Sequence, residues 1–522
     1  MHKLSRILSL SFLLIPLLAA SLGAQGTVWF VDAVNGNNAN GGTMINNAFQ
    51  TINFAVNLAA PGDTINVLPG TYNESVYINK DGLRLEALPI ATITPPGGQP
   101  AFEIVSDTTA ISNATLVRGF EIVDAFYGVY IHNSSTPLPN SPTIEMNEMR
   151  DCSIGIFLEH FGSGITHDAI LRYNFIHHEI EGCSAPYGAG IYLLAYDGAI
   201  CETFIRANRI FYVEFGMLID DTVSSSVVSD HQCNVLAYNE WSYFIESTAA
   251  PTLCNESIAF GAPASSTGFA YGVYSNSPNV NVYNSIIWVP DGIDCFGFPF
   301  IGDDVFGPVT VDGFSIVEDV NPAMDPQFVD APNLDFHIFS TSPAINAGDT
   351  ILILPGSTIP IDHDNDGAPR IQDPFRTGVL DVDLGAYEYA TVSMDVVDPA
   401  DPANSSGLPY VMGRFGGSVN VSVTGNPGDQ WMFWWNTANS YGTNVVLPAL
   451  GNQLVLFGIN PITFTLTSSS AVLPINLPNR APLTMLALQE LEFHLQSAIS
   501  APNTSNPILG GFTRRIIVEL NQ

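Results

Sequence analysis

Between Arg118 and Trp288 one short unit returns about six times, and this recurrence restricts the possible folds more than any other feature. Each unit has an Asn closely followed by an apolar residue. Most then end in a small residue, two or three apolar residues and a polar exit. The clearest copies are Asn147-Glu148-Met149 with Gly155-Ile156-Phe157-Leu158-Glu159, and Asn208-Arg209-Ile210 with Gly216-Met217-Leu218-Ile219-Asp220. Asn174, Asn234, Asn255 and Asn284 mark the others, so successive Asn positions from Asn147 are 27, 34, 26, 21 and 29 residues apart. A period of that length built on strand-like units is the mark of a solenoid, in which each repeat buries its apolar face against its neighbours. Asn at a fixed turn of stacked rungs is expected to form an internal ladder, each side-chain amide bonding the next. Cys233 and Cys254, each directly before such an Asn, are expected to stack on successive rungs.

The units align in columns on Gly128, Gly155, Gly190, Gly216, Ser242 and Gly272. One residue on stand Val129, Ile156, Ile191, Met217, Tyr243 and Val273, and three on stand Ile131, Leu158, Leu193, Ile219, Ile245 and Ser275. Strand alternation sends these inward and the residues between them outward. The outward columns are then Tyr130, Phe157, Tyr192, Leu218, Phe244 and Tyr274, beside His132, Glu159, Leu194, Asp220, Glu246 and Asn276. An exposed aromatic row flanked by polar groups binds sugar rings by stacking and hydrogen bonding. Tyr130, Phe157, Tyr192, Phe244 and Tyr274 are therefore the candidate carbohydrate-binding residues. The competing reading is packing beneath the long inserts at 179–189 and 259–270.

Two charged pairs offer chemistry. Asp220 and Glu246 fall one rung apart, so their carboxyls are expected about 5 Å apart, near the separation of a retaining glycosidase pair. Arg172 and Arg206, each two residues before a ladder Asn, also fall one rung apart. They suit a carboxylate clamp or the base of a lyase that removes the proton α to a uronate carboxylate. A solvated Arg pair balanced by nearby acids is the plainer reading. His160, His167, His177 and His178 cluster in sequence, but adjacent strand residues such as His177 and His178 point to opposite faces, which weakens a joint metal role.

With 15 Lys and Arg against 50 Asp and Glu, the formal charge of −35 argues against nucleic acid or anionic membrane as partners. It also makes an acidic polysaccharide an awkward ligand unless Ca²⁺ or local Arg residues intervene. The six Cys residues (152, 183, 201, 233, 254 and 295) include no close CxxC pair, so a zinc site is not expected and the disulfide pairing stays open. Lys3 and Arg6 precede an apolar run from Ile7 to Leu18 and small residues up to Ala24, the pattern of a secretory signal peptide over 1–25. No later stretch has transmembrane length, so export to the extracellular space or cell surface is expected.

Residues 27–88 carry a specific resemblance. Trp29-Phe30-Val31-Asp32 leads to Asn35-Gly36-Asn37-Asn38, then Ala48-Phe49-Gln50-Thr51-Ile52, Ala60-Pro61-Gly62-Asp63-Thr64-Ile65, Leu68-Pro69-Gly70-Thr71-Tyr72 and Ile78-Asn79-Lys80-Asp81-Gly82-Leu83. This stretch resembles the opening of the secreted right-handed parallel β-helix proteins of the pectate-lyase-like superfamily, an opening found on lyases and on non-enzymes alike. Phe49, Ile52, Val56 and Ala59 sit at helical spacing, so 48–60 is expected to be a short helix covering the first rung. Lys80 belongs to the opening motif, which implies a structural role for it.

Asp325-Pro326-Gln327-Phe328, Ser342-Pro343-Ala344-Ile345-Asn346-Ala347-Gly348 and Asp383-Leu384-Gly385-Ala386-Tyr387-Glu388 resemble the closing segment of the same proteins. Within it Asp362, Asp364, Asp366 and Gly367 alternate as in a Ca²⁺ loop, with Asp373 where a last carboxylate would stand. These four Asp are the candidate metal ligands, and any ion there is expected to be structural. The expected organisation is an all-β chain. It has a right-handed parallel β-helix over 26–390 with an N-terminal capping helix, a Pro- and Asp-rich linker over 391–405, and a small antiparallel β-sandwich over 406–522. The aromatic cluster Trp431, Phe433, Trp434 and Trp435 is read as core packing of that sandwich. The expected function is binding, and in a lyase-like manner cleaving, of an extracellular polysaccharide or cell-surface glycan by a monomer. The alternative is a non-catalytic surface, adhesion or structural protein.

Overall fold

The computed structural model describes residues 26–389, apart from stretches of which 179–187, 263–267, 354–358 and 373–380 are the longest, and the backbone of strands between 393 and 521. The expected signal peptide, 1–25, lies outside the described residues. The chain is a parallel β-helix. Each full rung lays two short strands in one long sheet, on either side of a bend, and one strand in a second sheet. The described residues contribute 19 strands to the long sheet and 10 to the second. The register is continuous: Met149 pairs with Ile176, Ile176 with Ile210, Ile210 with Leu236, Leu236 with Ile258 and Ile258 with Ile287.

The inward columns are as expected. Val129, Ile131, Ile156, Leu158, Ile191, Leu193, Met217, Ile219, Tyr243 and Ile245 are all buried in one core with Ile144, Leu171 and Ile205 of the long sheet. Removing the side chain of one such residue, as in Leu158→Ala, costs about 2–5 kcal/mol. The glycine column lets the strand run close to its neighbours. A Cβ on Gly155 would lie 2.6 Å from the Gly190 carbonyl oxygen and 2.6 Å from the Ile176 side chain.

The bend inside the long sheet is a repeated left-handed residue. Met146, Tyr173, Ala207, Cys233, Asn255 and Asn284 take φ values between 48° and 57°. For a non-Gly residue that conformation costs roughly 1–2 kcal/mol. The next residue offsets it. Asn147 Nδ2 donates to Asn174 Oδ1 at 3.2 Å, Asn174 to Asn208 at 3.0 Å and Asn208 to Asn234 at 3.0 Å. Each Oδ1 also accepts the preceding Asn backbone N–H. Beyond Asn234 the expectation needs correcting. The ladder passes to Glu256, whose Oε1 accepts from Asn234 Nδ2 at 3.0 Å, and then to Ser285 and Ser315. Asn255 and Asn284 occupy the left-handed position one residue earlier. The two roles look alike in sequence because Asn suits both a ladder and a left-handed bend. The same offset separates the cysteines. Cys254 registers with Gln232 rather than Cys233, and both thiols are free.

The first rung is Val28–Val31, parallel to Thr64–Val67. The capping helix is shorter than expected, Ile52–Leu58. Glu74 ends it on the N-terminal side by accepting the Ile52 and Asn53 amides at 2.8 and 3.0 Å. Lys80 Nζ ends it on the other side by donating to the carbonyls of Val56, Asn57 and Ala59 at 2.7–2.9 Å. Lys80 is thus held as a structural cap, as the opening motif implied.

The closing segment folds back over the long sheet. Phe336, Ala386 and Tyr387 pack on Phe211, Val235, Ala237 and Ala259. Ile353, Ile359, Ile361 and Val382 pack on Cys233 and Cys254. Asn255 Nδ2 donates to Asp383 O at 3.0 Å, and Asn284 Oδ1 accepts the Asp349 amide at 2.7 Å. The two Asn that left the ladder therefore tie this segment down. Beyond it, Ser393–Val397, inside the stretch read as linker, is a strand antiparallel to Ser418–Thr424. The Pro and Asp of 398–402 hid the β-branched pair Val396-Val397. The C-terminal strands form sheets of three, five and two, antiparallel except where Tyr410–Arg414 runs parallel to Ile516–Asn521.

Candidate functional site

The second sheet presents its outward columns as the alternation requires. Register pairs Tyr130 with Phe157, Phe157 with Tyr192, Tyr192 with Leu218, Leu218 with Phe244 and Phe244 with Tyr274, and the column runs on to Phe306. The rings stack in two runs separated by Leu218. Tyr130–Phe157 and Phe157–Tyr192 centroids are 5.3 and 4.7 Å apart, and Phe244–Tyr274 and Tyr274–Phe306 are both 5.0 Å apart. All are half-buried or exposed except Phe157, which is 7% exposed between its two neighbours. The inserts that would cover them in the competing reading lie, over 179–187 and 263–267, outside the described residues.

A second aromatic column stands beside the first, and the sequence reasoning missed it. Phe215, Trp241 and Tyr271 lie on successive rungs one residue before the glycine column and also face out; Tyr127 holds the same place three rungs before Phe215, with Ile154 and Ala189 between them. Trp241 and Tyr271 stack at 4.4 Å. Trp241 meets Phe244 and Tyr274 edge-on, both at 5.1 Å with planes 83° and 88° apart. The signal was legible: a small, tucked-in glycine breaks strict alternation, so the residues on both sides of the buried pair point outward. Centroid spacings near 5 Å exceed the carbon contact distance of about 3.5–4.0 Å, so the rings are offset and each leaves part of a face uncovered. The surface is corrugated rather than flat.

Carboxylates line this surface. The Tyr130 hydroxyl donates to Glu159, and the Tyr196 hydroxyl donates to Glu159 at 3.4 Å. Burial and the Glu159 charge push the Tyr130 phenol well above its usual range. Burial, then Asp220 and Glu159, raise that of Tyr192. Ile219 pairs with Ile245, which sets Asp220 and Glu246 on adjacent rungs as expected. Asn276 Nδ2 donates to both Glu246 oxygens at 3.0 Å. Glu103, held to His132 at 3.0 Å, registers with Tyr130, and Asp303 registers with Tyr271, so carboxylates also stand at the ends of the ring columns. No strand of the second sheet contains Lys or Arg.

Arg172 and Arg206 are brought into register with each other, but on the long sheet, away from Asp220 and Glu246. Arg172 Nε bonds Glu145 at 2.6 Å. It belongs to a charge ladder in which Arg118 also bridges Glu86 at 2.7 Å. Arg206 donates to the His363 carbonyl at 2.6 Å and so anchors the closing segment. Arg84, Arg118, Arg150 and Arg209 lie on strands of the same long sheet.

Of the expected metal ligands, Asp362 and Asp373 lie outside the described residues. Asp364 accepts the Glu388 amide at 2.9 Å, and Asp366 pairs with His337 at 2.9 Å. Burial works against a charge on His337, but Asp335 and Asp366 push its pKa up to about 10. Among the described residues no group of three or more His, Cys, Asp or Glu is arranged for a metal ion. The clustered histidines separate: His160 and His167 stack at 3.8 Å inside the solenoid, while His177 and His178 reach Glu148 and Asp151.

No protein-family profile matches the sequence, and no curated protein matches it. The solved structures that match include two carbohydrate-related proteins. XylC in complex with xylose is 12% identical over 51% of this chain and 76% of that one, with a TM-score of 0.30. A rhamnogalacturonan lyase is 9% identical over 50% of this chain and 87% of that one, with a TM-score of 0.21.

Proposed function

We propose that this chain is an exported β-helix protein of the pectate-lyase-like kind that holds a polysaccharide along the outer face of its second sheet. One observation carries the reading: two adjacent columns of offset aromatic rings run along the solenoid with carboxylates at their edge. Ring faces suit the apolar faces of sugar rings, and carboxylates accept their hydroxyls. The two charged pairs have different fates in this reading. Arg172 and Arg206 serve the long sheet and the closing segment. Asp220 and Glu246 lie at the binding face.

The test is binding of the protein to a panel of soluble polysaccharides, with Trp241→Ala and Phe244→Ala as variants. Each variant is expected to weaken binding about threefold to tenfold while the far-ultraviolet spectrum is unchanged. Unchanged affinity in both would remove the binding face. A second reading, hydrolysis, is favoured by the one-rung spacing of Asp220 and Glu246. It requires release of reducing ends that Asp220→Asn and Glu246→Gln abolish. Binding without turnover in the parent protein selects the non-catalytic reading instead.

Ca²⁺ at Asp362, Asp364, Asp366 and Asp373 is a separate proposal. An ion there competes with His337 for Asp366. Adding Ca²⁺ is then expected to lower the His337 pKa, followed by the imidazole proton shifts in NMR. No change in that titration argues against the site.

A further inference from the structure

Resting on the binding face just proposed, we infer that its ligand is an uncharged polysaccharide and that polyuronates are excluded by charge. The argument is one of segregation. In the solenoid the described arginines are confined to the long sheet and the segment that covers it, where Arg84 and Arg118 meet Glu86, Arg172 meets Glu145 and Arg370 meets Glu388. The second sheet has no Lys or Arg on any strand, yet its outward side carries Glu103, Glu159, Asp220, Glu246 and Asp303.

A chain with one carboxylate per sugar would place its charges beside these acids with no protein cation between them. It would also do so on a molecule of formal charge −35. Such like-charge juxtaposition is a means of rejecting a ligand. Hydroxyl groups have the opposite fit. Glu159 already accepts two phenol hydroxyls, and Glu246 accepts an amide, so these carboxylates are positioned as acceptors. Hydrogen bonds to an ionised acceptor are the stronger kind.

The experiment titrates the full chain with a neutral β-glucan, a galactomannan and polygalacturonate, all at low ionic strength with a chelator present. Binding of a neutral polymer that persists at about 1 M salt, where charge interactions are screened, is expected, together with no binding of polygalacturonate at low salt. Polygalacturonate binding under chelator overturns the inference and leaves the binding face standing. Failure of every polymer to bind overturns the face and the inference with it. The triple variant Glu159→Gln, Asp220→Asn, Glu246→Gln is expected to lose about tenfold in affinity for the neutral polymer and to bind polygalacturonate measurably. If it does neither and its near-ultraviolet spectrum is native, the carboxylates do not select the ligand.

Discussion

At the scale of single residues, the solenoid core is polar where a simple hydrophobic picture makes it apolar. Glu256 stands in the ladder where Asn stands in the rungs before it. Its oxygens accept from Asn234 and from the Tyr243 hydroxyl at 3.0 and 2.8 Å. Burial raises its pKa from 4.5 to about 8. A carboxyl raised in the folded state binds more protons there than in the unfolded chain. Its contribution is therefore complete in acid and is lost as pH climbs from 4.5 through about 8. Glu256→Gln keeps an acceptor for Asn234 and removes the charge. The variant should lose less melting temperature than the parent between about pH 6 and pH 9, and parallel curves would sink the assignment. His231 and His167 act on the other limb. Burial lowers them from 6.5 to about 3 and about 4, so their contribution falls away as pH drops below 6.5. Asn208 stands in the middle of the ladder, and its amide bonds the rungs on both sides, as do those of Asn174 and Asn234. Asn208→Ala should cost roughly 2–4 kcal/mol in urea unfolding, because buried donors and acceptors lose their partners.

At the scale of elements, the helix Ile52–Leu58 has only seven residues and is marginal alone. Its two ends are closed by side chains from the turns on either side of strand Val76–Ile78, Glu74 and Lys80. Lys80→Met keeps the aliphatic stem and deletes the three carbonyl contacts. A loss of about 1.5–3 kcal/mol is expected, the range for hydrogen bonds from a charged group. Polysaccharide binding should be unaffected, since the helix packs against the first strand of the second sheet, Val76–Ile78, two rungs before Tyr130. A Lys80→Met protein of parental melting temperature would show that the cap is not used. How much of each element was legible depended on its pattern. The second-sheet strands alternate cleanly, and their inward and outward columns were readable residue by residue. The helix ends were not, because Phe49 and Ala59 share the helical spacing of Ile52 and Val56 but lie just outside the helix.

At the scale of the whole molecule, the two faces of the solenoid have separate work. The closing segment roofs the C-terminal half of the long sheet, with Phe336 stacked on Phe211 at 5.7 Å and packed against Tyr238, Phe260 and Phe328. Phe336→Ala should cost about 3–5 kcal/mol, like other buried Phe truncations. It should open residues 326–389 to limited proteolysis and leave polysaccharide binding on the far sheet intact. Loss of binding in step with proteolysis would mean that the faces are coupled.

The amino-acid sequence alone determined that this chain coils as a β-helix. The repeat period, the inward aliphatic columns and the outward Tyr130, Phe157, Tyr192, Phe244 and Tyr274 all follow from short-range alternation. Only the tertiary structure decided what meets the outward side chains of the long sheet. Arg172 and Glu145 meet across 27 residues, Arg206 and the His363 carbonyl across 157, and Asn255 reaches Asp383 across 128. The physical reason is that alternation tells a side chain to leave the core. It does not say whether water, a charged neighbour one rung away or a distant returning segment will meet it there.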